Sequence, residues 1–115
     1  MRQIILILSL SASCSLFGQN WQHFIDSIPT LSSPRACDLN NDGVKDIVYG
    51  GGTDGVYASN GIMAINGANG TLLWKRPARN EVFGSAVFQD ITNDGIKDVF
   101  MVGRQAQLLA INGSN

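Results

Sequence analysis

The stretch Asp38-Leu-Asn-Asn-Asp-Gly-Val-Lys-Asp46, running on into Ile47-Val48-Tyr49, decides how the 115-residue chain is read. It returns 52 residues later as Asp90-Ile-Thr-Asn-Asp-Gly-Ile-Lys-Asp98, running on into Val99-Phe100-Met101. Each copy sets oxygen-bearing side chains at positions 1, 3, 5 and 9 and a glycine at position 6. Calcium is a hard cation that takes about six to eight oxygen ligands. Side chains at positions 1, 3 and 5 can turn inward in a tight turn, position 7 can offer its carbonyl, and position 9 can close the shell. The candidate ligands are therefore Asp38, Asn40, Asp42, the Val44 carbonyl and Asp46 in the first loop. In the second they are Asp90, Thr92, Asp94, the Ile96 carbonyl and Asp98. Gly43 and Gly95 permit the sharp backbone turn. Thr92 is a weaker ligand than Asn40, so the second site is expected to bind less tightly.

Six of the nine acidic residues fall in these two windows, and their mutual repulsion favours a bound cation. The alternative for a single loop is an Asp/Asn-rich turn with no metal. Duplication of all three Asp positions and the glycine favours the metal. An EF-hand opens in the same way but needs a bidentate Glu at position 12. That position holds Tyr49 in one loop and Met101 in the other, and a strand follows rather than a helix.

A second pair of stretches repeats at a different spacing. Met63-Ala-Ile-Asn-Gly-Ala-Asn69 returns 46 residues later as Leu109-Ala-Ile-Asn-Gly-Ser-Asn115. The six extra residues of the first repeat are expected in a Gly-rich loop within 51–60. Strands are predicted over 35–39, 46–49, 62–66 and 71–75, then over 85–91, 98–102 and 107–112. Asn66-Gly67 and Asn69-Gly70 supply turn conformations between the third and fourth. A unit of about 50 residues with four strands has the size of a propeller blade. The expected fold class is all-β, built of four-stranded antiparallel propeller blades. The repeats are assigned to 34–84 and 85–115.

The second repeat ends before the equivalent of the strand carrying Trp74. Propellers close with about four to eight blades, so the expectation is an incomplete propeller of about two blades, the N-terminal fragment of a larger one. Residues 20–33, with Trp21, Phe24, Ile25 and Ile28, form an N-terminal strand or linker that could close the ring.

Residues 1–19 read as a signal peptide: Arg2 opens it, and an apolar run over Ile4–Leu10 follows. The run is too short and Ser-rich to span a membrane. Ser11-Ala-Ser-Cys14 loosely resembles a lipobox, but a branched apolar residue is wanted where Ser11 stands. A secreted, periplasmic or cell-surface location is expected. Cleavage near Gly18 leaves Cys37 without an internal disulfide partner, a small hydrophobe beside the first loop. With 8 basic and 9 acidic residues, nothing points to nucleic acid or an anionic membrane. Nothing marks the chain as an oligomer either.

The two Asp loops resemble the FG-GAP/VCBS repeat of integrin α-chain propellers and bacterial exported proteins. The resemblance implies a propeller with structural calcium, and its ligand positions 1, 3, 5 and 9 fall on the residues named above. Position 3 is commonly Asp or Asn there, so Thr92 departs from the pattern. Phe83-Gly-Ser-Ala86 is the nearest match to the Phe-Gly-Gly-Ala-Pro signature. Met63 to Lys75 also resembles the PQQ-like propeller repeat, which makes Trp74 a blade-docking residue rather than a cofactor contact. Together the resemblances cover most of 34–115.

Other patterns carry less. Gly50-Gly-Gly-Thr-Asp-Gly55 fits G-x-G-x-x-G, but no helix follows to receive a pyrophosphate. His23 is the only histidine, so no Ser-His-Asp or zinc site can be assembled around it, and it is expected at the surface. Arg76, Arg79 and Glu81 are expected in a solvated connection between repeats. Asn69-Gly-Thr71 and Asn112-Gly-Ser114 match the glycosylation pattern but lie at turns. The expected function is that of an exported, non-catalytic calcium-binding propeller that meets a protein or polysaccharide ligand. The alternative is part of a propeller enzyme, a polysaccharide lyase or a quinoprotein dehydrogenase.

Overall fold

The computed structural model describes residues 20–25, 28–29 and 32–114. The leader assigned to residues 1–19 lies outside them. Seven strands follow in order: β1 Arg35–Cys37, β2 Asp46–Gly50, β3 Ala58–Ile65, β4 Leu72–Ala78, β5 Val87–Gln89, β6 Asp98–Gly103 and β7 Gln107–Ile111. The described residues form two antiparallel sheets, one ordered β1-β2-β3-β4 and one ordered β5-β6-β7. The chain is all-β over these residues.

Registers in the two sheets are alike. Ala36 faces Ile47 and Ile47 faces Ile65 in the first. Phe88 faces Val99 and Val99 faces Ile111 in the second. Alternation along β2 and β3 gives the first sheet two apolar faces. Val48, Ile62, Ala64 and Trp74 point into a common core with Val99, Met101 and Ile111 of the second sheet. Burial of each Val, Ile and Met side chain among them contributes about 1.5–3 kcal/mol. Ile47, Tyr49, Met63 and Ile65 form the opposite face, over which Trp21, His23, Ile25 and Ile28 run. The described part of this N-terminal segment forms no regular strand.

Two expectations are corrected. The loop assigned to 51–60 is shorter, because Ala58, Ser59 and Asn60 already belong to β3, with Ala58 paired to Ala78. The connection between the repeats is not a solvated linker. Arg76 lies within β4, while Asn80, Glu81 and Val82 are buried. Glu81 accepts a hydrogen bond from Arg104 Nε at 2.6 Å, and the Arg104 N–H donates to the Glu81 carbonyl at 2.9 Å. Asn80 Oδ1 accepts the Gly55 and Glu81 N–H groups, and the Asn80 carbonyl accepts from Gln107 Nε2. The Glu81 carboxylate, with Asp54 beside it, holds the Arg104 guanidinium above its ordinary pKa. This cluster ties the first sheet's loop, the connection and the β6–β7 hairpin together, and side-chain pairing is what allows a carboxylate to be buried there.

Candidate metal centre

Each Asp loop joins the first two strands of its sheet with the same backbone path. Asn41 and Asn93 both lie at φ 58°, and Gly43 and Gly95 lie at φ 84° and 87°. The left-handed region at position 6 is where a glycine costs least. The turn is held from within. Asp38 Oδ2 accepts the Gly43 N–H at 2.9 Å, and Asp90 Oδ2 accepts the Gly95 N–H at 3.1 Å. Asp42 Oδ1 accepts the Val44 N–H at 2.7 Å, and Asp94 Oδ1 accepts the Ile96 N–H at 2.9 Å.

Position 3 differs between the loops. Asn40 Oδ1 accepts the Asp42 N–H, and Asn40 Nδ2 donates to Asp42 Oδ2, each at 3.0 Å. Thr92 instead donates its N–H to Asp98 Oδ2 at 3.1 Å and its hydroxyl to Asp98 Oδ1 at 3.4 Å. Asp94 Oδ2 accepts from Ser114 Oγ at 3.2 Å.

Position 9 has a second role that sequence reading missed. Asp46 is fully buried, and its two oxygens accept the Leu39 N–H at 2.7 Å and the Gly67 N–H at 3.0 Å. Asp98 accepts the Ile91 N–H at 2.8 Å and the Gly113 N–H. One carboxylate thus clamps the Asp loop to the Asn-Gly turn that follows β3 or β7. The fit is close: a Cβ on Gly67 or Gly113 would stand 1.9 Å from the Lys45 or Lys97 carbonyl oxygen. The two motifs that recur at different spacings are therefore one structural unit. The usable signal in the sequence was the glycine that recurs with each Asp loop.

Burial pushes the Asp98 carboxyl up, but hydrogen bonds from Ile91, Thr92 and Gly113 outweigh it and hold it below the ordinary carboxylate range. Burial raises the Cys37 thiol; Asp38 and Asp46 add to the rise, and Lys45 and Lys97 oppose it. Cys37 is accordingly a protonated, half-buried thiol beside the first loop.

Among the described residues, no three His, Cys, Asp or Glu side chains converge as a metal group. The loop carboxylates are turned onto backbone N–H groups and neighbouring side-chain donors instead. One oxygen in each loop is the exception. Asp38 Oδ1 and Asp90 Oδ1 are buried and accept no hydrogen bond. Both occupy position 1, and both are hard oxygen donors of the kind calcium takes. Asp42 and Asp94 are exposed, and like the Asp46 and Asp98 oxygens theirs keep lone pairs beyond those used in the hydrogen bonds above. By donor chemistry the residues fit a hard divalent cation.

The sequence matches no known protein family and no curated protein, and no solved structure matches the fold.

Proposed function

We propose that this chain is an exported, calcium-stapled β-propeller-type repeat protein with a non-catalytic binding, adhesion or scaffold role. The observation that carries the reading is the repeated orphan, the same position-1 oxygen left bare and buried in both loops. Burying such an atom without a partner costs about 1–3 kcal/mol. A bound cation removes that cost and neutralises the carboxylates around it. Asp38, Asn40, Asp42, the Val44 carbonyl and Asp46 would hold one ion; Asp90, Thr92, Asp94, the Ile96 carbonyl and Asp98 would hold the other. Calcium supplies positive charge there and no reaction step. The four-stranded order of the first sheet and the near-repeat of its register in the second support blades of a propeller. The apolar leader supports export to a compartment where calcium is plentiful. Loops at the rims would meet the protein or polysaccharide ligand.

Calorimetric titration of the chain with calcium tests the reading. Saturable binding at two sites is expected, with dissociation constants of about 10⁻⁴ to 10⁻³ M. Replacing Asp42 and Asp94 together by Ala, both exposed, should abolish it while leaving the far-UV spectrum unchanged. Absence of a heat signal at millimolar calcium from folded protein would overturn the metal assignment.

A further inference from the structure

Equivalent positions of the two sheets are buried very differently. Val48, Ile62 and Ala64 are each 0% exposed because the second sheet covers them. Their counterparts by repeat spacing are Phe100, Leu108 and Ala110. Leu108 is 68% exposed, and Val102 and Val87 on the same face are 49% and 64% exposed. The registers pair Val87 with Phe100, Phe100 with Ala110, and Val102 with Leu108, so these five side chains form one contiguous apolar face. Monomeric proteins rarely leave such a face open to water. Its edge is open as well: β4 lies beside β3, but among the described residues no strand lies beside β7.

The complement is on the same molecule. Trp74 of β4 donates its indole N–H to the Gly113 carbonyl at 3.0 Å, docking the first sheet onto the turn of the second. Trp21 donates in the same way to the Gly67 carbonyl, at 2.9 Å. Gly67 is the repeat counterpart of Gly113, so Trp21 stands to the first sheet as Trp74 stands to the second. His23 adds a bond to the Gly70 carbonyl at 3.0 Å, a contact that the expected surface position did not anticipate. The N-terminal segment thus behaves as the fourth strand of a sheet whose other three strands are not in front of it. In their place is a cavity of about 360 Å³ between Trp21 and Ile25 on one side and Ile47, Tyr49, Met63 and Ile65 on the other. The second sheet carries the converse defect. A cavity of about 180 Å³ opens beside Phe100 and Ala110, where the first sheet has Trp74 opposite Ala64.

We infer that the open face of the second sheet is an interface for a second copy of this chain, joined head to tail. The three strands β5, β6 and β7 of one copy lie against Ile47, Tyr49, Met63 and Ile65 of the next. The Trp21 segment of that next copy runs along β7 as its fourth strand. Phe100, Val102 and Leu108 fill the larger cavity, and the Trp21 indole covers Ala110. The contact repeats the one already present between the two sheets, so its shape is specified within one molecule. It is heterologous, and association proceeds to a ring or an open chain according to whether the rotation closes. The inference stands on apolar packing and is independent of the metal assignment.

The test uses the full chain and two variants, Leu108→Asp and Trp21→Ala, in sedimentation velocity and light scattering over a concentration series up to about 100 μM, where a standard-sized interface is populated. Wild type should give species heavier than the monomer that grow with concentration, and each variant alone should stay monomeric. Leu108 is exposed, so its replacement leaves the fold intact by circular dichroism. An equimolar mixture of the variants should regain a dimer, because Leu108→Asp keeps the Trp21 side intact and Trp21→Ala keeps the Leu108 side intact. A monomeric wild type would overturn the inference, leaving the face to a different occupant. So would association that survives Leu108→Asp, which would place it on another surface such as the apolar leader. A mixture that stays monomeric would exclude head-to-tail pairing.

Discussion

The two Asp loops follow one backbone path and divide their hydrogen bonds differently. In the first, position 3 serves position 5: Asn40 takes the Asp42 N–H and returns its own amide hydrogen to the Asp42 carboxylate. In the second, position 3 serves position 9, because Thr92 gives both its N–H and its hydroxyl to Asp98. The hydroxyl of Thr sits one bond nearer the backbone than the amide of Asn, so it reaches back toward β6 rather than forward along the turn. Asp94, left by position 3, is taken up by Ser114. The clamp from position 9 to the Asn-Gly turn persists through this exchange. What the sheets share is the clamp, and what distinguishes the loops is the side chain that could complete a cation shell.

If the clamp is the common element, breaking it should hurt both repeats alike. Gly67→Ala and Gly113→Ala each push a Cβ against the Lys45 or Lys97 carbonyl at 1.9 Å. Backbone must move, at the upper end of overpacking costs, about 3 kcal/mol for each variant. Urea unfolding should show similar losses in the midpoint at constant slope. A loss confined to one of the two would mean that the shared geometry hides unequal clamps.

The clamp also marks the limit of sequence reading. The short apolar runs that leave each Asp loop, Ile47-Val48-Tyr49 and Val99-Phe100-Met101, made the strands visible, and Asn-Gly located the β3–β4 turn. Strand ends moved by a few residues, most at β3, where Ala58, Ser59 and Asn60 join the sheet despite a Gly-rich approach. The Gln105–Ala106 turn carried no signal, since both residues adopt positive φ without glycine or asparagine. The partnership of Asp46 with Gly67 was hidden because 21 residues and an insertion of variable length separate them. Glu81 looked like a linker charge for a related reason: its partner Arg104 lies 23 residues on, in a hairpin whose position only the fold reveals. Asp38 and Asp90 stood among ten candidate ligands, and only burial distinguishes their bare Oδ1 atoms from the rest of the loop.

The second loop offers a way to weigh the clamp by pH. The Asp98 carboxyl titrates below its ordinary value of 3.8. A lowered native pKa means that the charged form contributes stability, fully present above the ordinary value and lost as pH falls through the lower native one. Wild type and Asp98→Asn should therefore differ most from neutral pH down to about 4 and converge in stronger acid, about pH 2. Thermal melts across this range read the difference directly. A gap that stays constant with pH would show that the clamp depends on shape rather than on the carboxylate charge.

The smallest expected effect bears on the difference at position 3. Thr92→Asn should free Asp98 from the hydroxyl and supply the longer amide oxygen that Asn40 offers in the first loop. If the loops differ as ligands chiefly through this residue, the variant should bind calcium at the second site about threefold to tenfold more tightly, a gain of up to about 1.4 kcal/mol. The comparison is cleanest in an Asp42→Ala background, where calorimetry reads the second loop without the first. Losing the Thr92 hydroxyl bond at 3.4 Å should scarcely affect stability, since that length is at the weak end for a hydroxyl donor. Tighter binding without a change in the unfolding midpoint in the absence of calcium would assign the asymmetry to ligation. An unchanged affinity would move it to the Ser114 bond, which holds the Asp94 carboxylate only in the second loop.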